Sequence, residues 1–159
     1  MDTVSLALEV APVGALPPPG DPAWAQWLSP AELAYSHGFR HPGEHLVARA
    51  IAKTVAAEAA GWTFEPPWID LEIRRQQLCG PQLVVVGELR DWCDWQHLAV
   101  PGISMTHAAG HAAAIAWTAD AITPAEAASS PADAITPAEA ASSPTGLIEA
   151  GSERGECAL

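Results

Sequence analysis

Six side chains of this 159-residue chain combine a suitable type with a suggestive spacing: Glu9, Arg49, Lys53, Thr54, Glu58 and His107. Glu9 interrupts the apolar run VSLALEVAPV. A carboxylate there must face a cleft or find a partner, because an unpaired buried charge is very costly. Arg49 and Lys53 stand four apart in HLVARAIAKTVAAEAAG, which puts two cations on one helical face. They form an anion site if that face lines a cleft, or a solvated stripe that Glu44 and Glu58 could neutralise. His107 and His111 are also four apart, in GISMTHAAGHAAAIAW. They could share a metal only on a helix with a third ligand nearby; otherwise His107 caps a strand end and His111 is exposed. There is no Gly-rich phosphate loop, GxSxG elbow or HExxH zinc helix.

The elements that must position these groups follow from the patterning. Residues 4–13 read as a buried strand, and GALPPPGDP as a loop. Ser29, Pro30 and Glu32 form a capping box that opens a short helix, under which Trp24 and Trp27 pack. Residues 41–62 form the main helix, with Gly61 as its stop. Strands are expected at 68–75 and 81–89, a short helix at 91–99, and a last strand or pair of strands from ISMTH to Trp117. Residues 1–118 are thus one domain of α/β class.

The segment ADAITPAEAASSP then occurs twice, at 119–131 and 132–144. Its composition predicts a disordered tail over 119–159, with transient helicity at most. A net charge of −12 argues against nucleic acid as a partner and weakens electrostatic docking of an acidic carrier protein. Cys79, Cys93 and Cys157 lack CxxC spacing, which predicts reduced thiols, no zinc site and a cytoplasmic location. Neither a signal peptide nor a membrane span is expected.

Four of these segments, in order, resemble the holo-acyl-carrier-protein synthase family of 4'-phosphopantetheinyl transferases. VSLALEVAPVGAL looks like the opening strand, HLVARAIAKTVAAEAAG like the family helix, Cys79-Gly80-Pro81 with LVVVGEL like the G-x-P strand and its successor, and ISMTH like the terminal signature. The resemblance implies an α/β fold and a homotrimer with active sites at its interfaces. It also implies magnesium, held by a strand aspartate and a helix glutamate, clamping coenzyme A while a carrier-protein serine attacks.

Carried over by position, the strand aspartate is Glu9 and the helix glutamate is Thr54. The second helix lysine is Glu58, and an acid that commonly follows the signature histidine is Ala108. Arg49, Lys53 and His107 match the family. Like charges ~4 Å apart at an effective dielectric near 20 repel by about 4 kcal/mol, so Glu58 would oppose a bound pyrophosphate if it faced the site. The changes at 54 and 58 therefore predict a repurposed, metal-independent enzyme of polyketide or peptide secondary metabolism. Glu9, Thr54, Glu58 and His107 would line a cleft, with Arg49 and Lys53 binding a small-molecule or carrier-bound acyl substrate. Acid–base dehydration, isomerisation or cyclisation would follow, with no cofactor. The alternatives are an active transferase using magnesium and coenzyme A, its metal held by Glu9 and another carboxylate, and a non-catalytic module that binds a carrier protein.

Overall fold

The computed structural model describes residues 5–75 and 79–118. Its first strand, β1 (Ser5–Pro12), leads through two short 3-10 turns to α1 (Pro30–His37) and then to α2 (Pro42–Ala59). A hairpin of β2 (Leu71–Arg75) and β3 (Pro81–Val85) follows, then α3 (Gly87–Trp95) and a second hairpin, β4 (Gly102–Ala108) and β5 (His111–Thr118). The architecture is the expected mixture of α and β. β1, β5 and β4 form an antiparallel sheet in that order, and β2 pairs only with β3.

α2 lies across the three-stranded sheet and touches all three strands. Small residues on both surfaces permit this close approach: Ala48, Ala52, Ala56 and Ala59 on the helix, Ala112, Ala114 and Ala116 on β5, all buried. The strand period of two puts these β5 alanines, Ala7 and Ile103 on the helix side. Gly61, at φ +68°, ends the helix in the conformation that only glycine adopts freely. Gly102 is paired with Trp117, and a Cβ there would come within 2.4 Å of the indole, so only glycine fits beneath that ring.

Charge holds the second layer in place. Glu32 completes the Ser29 capping box with both reciprocal bonds. Its Oε1 also accepts from the Ile73 amide at 3.0 Å, and its Oε2 from Lys53 Nζ at 2.7 Å. Lys53 uses its other two protons on the carbonyls of Trp27 and Trp68. Arg49 donates to the Ile73 carbonyl at 2.7 Å, lies 3.7 Å from Glu32, and stacks its guanidinium on Tyr35. One fully buried cluster thus ties α1, α2 and β2 together. Burial pushes the pKa of Lys53, and that of Arg49, below its ordinary value, and Glu32 opposes the shift.

Several local expectations change. Residues 68–70 form a 3-10 turn before β2, and α3 begins at Gly87, four residues before the expected start. Trp24 is buried as expected, whereas Trp27 stacks on Trp68 at 4.8 Å between centroids. Cys93 is a free buried thiol. The repeated segment and the expected disorder of 119–159 lie outside the described residues. Among the described residues, no helix is long and apolar enough to cross a membrane.

Candidate functional site

The six candidate residues fall into three places. Glu9 and Thr54 meet: the threonine hydroxyl donates to Glu9 Oε2 at 2.9 Å, joining β1 to α2. Both line a cleft of about 330 Å³ whose walls are mainly apolar, with Leu16, Trp24, Trp27 and Ile51 among them. Glu9 is the one charged side chain in that lining. The Thr54 oxygen also lies 2.8 Å from the Ile51 carbonyl, so its single proton is shared between that carbonyl and Glu9. Glu58 is exposed, one turn beyond Thr54, on the same face of α2.

His107 sits elsewhere. Its Nδ1 lies 3.1 Å from Glu44 Oε2, and Glu44 Oε1 accepts from the Gly110 amide at 3.1 Å. Glu44 therefore ties the start of α2 to the β4–β5 turn, where Ala109 and Gly110 both have positive φ. The Gly110 amide, assisted by the hydrogen bond and charge of His107, holds the Glu44 carboxyl below its ordinary pKa against the opposing effect of desolvation. A carboxylate only accepts, so His107 donates through Nδ1 and its Nε2 is left for another partner. His45 packs edge-on against His107 at 4.3 Å and stacks on Phe39 at 3.8 Å. Burial, then the charges of His107 and Arg49, lower the pKa of His45. The two histidine rings border a small cavity of about 50 Å³ with Tyr35, Arg49 and Arg75. A groove of about 340 Å³ continues from it along Arg74 and Arg75.

The expected pairing of Glu9 with His107 is not made within one chain. β5 runs between their strands, and Glu9 is opposite Ala114 while His107 is opposite Ala112. With strands ~4.8 Å apart, the two backbones are about 10 Å apart across the sheet alone. Arg49 and Lys53 share a helical face as expected. That face points into the core, where Glu32, rather than Glu44 or Glu58, pairs with them. Lys53 is fully buried, with all three of its protons used inside the protein. Arg75 takes the outward-facing position that the spacing suggested for Arg49 and Lys53. It is exposed, borders both basic cavities and makes no ion pair among the described residues. Its signal was the pair Arg74-Arg75 at the end of a strand, but sequence cannot tell which of two adjacent arginines is taken up by Glu72. His111 is exposed, as the plainer reading expected.

The fold that carries these two sites has counterparts among solved structures. The holo-[acyl-carrier-protein] synthase from Neisseria meningitidis aligns with a TM-score of 0.63 at 18% identity, covering 74% of this chain and 98% of that one. The Plasmodium yoelii holo-ACP synthase gives 0.61 at 13%, covering 76% and 98%. A Bacillus anthracis synthase solved with coenzyme A (3',5'-ADP) gives 0.59 at 16%, covering 74% and 96%. These establish the fold.

In sequence, the holo-[acyl-carrier-protein] synthase of Moorella thermoacetica is 31% identical over 93 residues, 58% of this chain and 73% of that protein. The chain belongs to the holo-[acyl-carrier-protein] synthase family. No family model matches it. The relationship corrects the expectation of a non-transferase cyclase or dehydratase: the relatives are synthases that modify a carrier protein, a transferase activity. The acid–base pair on which that expectation rested is also absent from the single chain.

Proposed function

We propose that this protein is a 4'-phosphopantetheinyl transferase that uses coenzyme A to modify a serine of a carrier protein. The observation that carries the reading is the Glu9–Thr54 pair at the edge of the apolar cleft, in a member of the synthase family. In the transfer, the serine oxygen bonds to the coenzyme A phosphorus on the pantetheine side. The pyrophosphate P–O bond breaks, 3',5'-ADP leaves with the electron pair, and the serine proton is released.

Magnesium suits the donor set, which consists of oxygens alone. It is commonly held by one or two carboxylates, with substrate phosphates and water completing its shell. Glu9 would hold it through the oxygen that Thr54 leaves free, and Glu58, exposed one turn along α2, would have to turn toward Glu9 to serve as a second carboxylate. Held there, magnesium would supply positive charge against the pyrophosphate. Thr54 fixes the rotamer of Glu9, and the apolar cleft wall excludes water from one side of the reacting group. Arg75 and the His107 Nε2 offer contacts for the anionic part of coenzyme A.

Because the two ends are apart within one chain, the reading includes a homotrimer in which the His107 end of one copy meets the Glu9 end of the next. An uncovered apolar sheet face supports assembly: Leu6, Leu8 and Val10 are each more than 60% exposed on the side of β1 away from α2. Ile115 and Trp117 share that face across the register. Titrating coenzyme A into the protein by calorimetry, with and without magnesium, tests the reading. Magnesium-dependent binding that Glu9→Ala abolishes is expected; binding unaffected by either change would contradict it.

A further inference from the structure

The two histidines that border the small cavity beside Arg75 sit in opposite settings. His45 is stacked on Phe39 at 3.8 Å, and burial, followed by the charges of His107 and Arg49, lowers its pKa, so it stays uncharged at neutral pH. His107 instead has the Glu44 carboxylate 3.1 Å from its Nδ1. That carboxylate is itself held from its far side. Its second oxygen accepts from the Gly110 amide at 3.1 Å, and the Gly110 carbonyl accepts from the Val13 amide at 2.8 Å, so Gly110 is fixed at both of its polar backbone atoms. Ala109, just before it, keeps a φ of +50°, a left-handed conformation that alanine rarely holds and that persists only where its surroundings enforce it. The other charges at the cavity cannot respond to a ligand. Arg49 donates to the Ile73 carbonyl with Tyr35 over its guanidinium, and Arg75 is a permanent cation. Among the described groups bordering the cavity, that leaves His107 to change its charge when an anion arrives.

We propose that Glu44 is a positioning residue for the transfer: it keeps the Nδ1 proton of His107 inward and Nε2 outward, so that binding of a coenzyme A phosphate takes up a solvent proton at Nε2. The inference rests on the transferase reading, which brings coenzyme A to this groove. A bare Nε2 shows a phosphate oxygen only a lone pair, whereas a protonated one donates a charge-assisted hydrogen bond. Glu44 lies on the opposite side of the ring, where its charge stabilises the imidazolium without competing for the phosphate. In the trimer of that reading the next copy brings its Glu9 to this end, but Glu9 is bonded to Thr54 and assigned to magnesium. The proton returns to solvent when 3',5'-ADP dissociates.

The test is a calorimetric titration of the full chain with coenzyme A and magnesium at pH 7.5, in two buffers of different ionisation enthalpy. The wild type should take up at least about half a proton, and its affinity should fall as pH rises, because raising pH opposes a step that consumes a proton. Glu44→Gln keeps an acceptor for Nδ1 but removes the charge. It should lose most of the uptake, bind coenzyme A about ten-fold more weakly at pH 7.5 and show a flatter pH profile. A merely structural role for Glu44 would weaken binding equally at every pH. His107→Gln should also remove the uptake. Nitrogen NMR of the His107 ring in the wild type gives a reading that the folding of no variant can disturb: Nδ1 protonated and Nε2 bare in the free protein, both protonated with coenzyme A bound. A wild type that takes up no proton, uptake that survives Glu44→Gln, or a free protein with Nε2 protonated overturns the inference. Magnesium-dependent binding that Glu9→Ala abolishes, without proton uptake, defeats this inference alone. Proton-linked binding that magnesium and Glu9→Ala both leave unchanged defeats the transferase reading alone.

Discussion

The two ends of α2 carry opposite chemistry on one rigid helix. Toward its start, His45, Glu44 and the facing His107 and Arg75 make a hydrogen-bonded, partly basic groove. Toward its end, Thr54 meets Glu9 beside an apolar cleft whose lining holds no cation, and Glu58 is exposed one turn further on. Between them, Arg49 and Lys53, whose charges would have blurred this contrast, are turned inward onto Glu32. A single copy therefore separates the groups suited to an anion from the groups suited to a cation. The proposed reaction needs both, which is why the reading requires neighbouring copies to bring opposite ends together.

The contrast can be broken most severely at its middle. Lys53→Met should cost about 3–5 kcal/mol, because it leaves Glu32 buried with one of its charge partners gone. A denaturant titration should show this as a large loss of stability, with both ends failing together. Glu9→Ala should instead lower transfer activity by about a hundred-fold or more, corresponding to the loss of several kcal/mol of charge stabilisation. Glu9 is exposed, so its melting temperature should stay near that of the wild type.

Smaller changes sharpen each end. Thr54→Glu adds a carboxylate beside Glu9 and should raise magnesium affinity by about ten-fold, read by calorimetry. Arg75→Ala should weaken coenzyme A binding by about ten-fold while leaving magnesium binding unchanged. The smallest effect concerns pH. The pKa of His45 is lowered in the folded protein, so the unfolded chain takes up its proton first as pH falls. This contribution is constant above the unfolded pKa of about 6.5, and stability then declines as pH drops toward the folded value. His45→Gln should flatten that decline in thermal melts between pH 7 and pH 5. Glu44, whose pKa is also lowered, adds a separate loss in the carboxylate range, as its protonation releases the Gly110 amide and His107.

Much of the fold was legible because it rests on local signals. The Ser29–Glu32 capping box, the Gly61 stop and the small-residue hairpin each act through neighbours in the chain. The order of elements around them gave the family. The site was legible only in part. Glu9 and Thr54 come together as positional matching to the family implies, but the direction of Arg49 and Lys53 could not be read. Helical spacing fixes a shared face and not what that face meets. The deciding residue, Glu32, lies on another helix, where its capping role concealed a second one as a buried counter-ion. The distance between Glu9 and His107 was equally hidden, because strand order in a sheet is not written in either strand.

The central claim is most directly tested by incubating the protein with coenzyme A, magnesium and the apo carrier protein it binds, then measuring the intact mass of the carrier. A gain of one phosphopantetheine group, blocked by chelator and lost with Glu9→Ala, is the predicted result. A carrier of unchanged mass after it has been shown to bind would contradict the account.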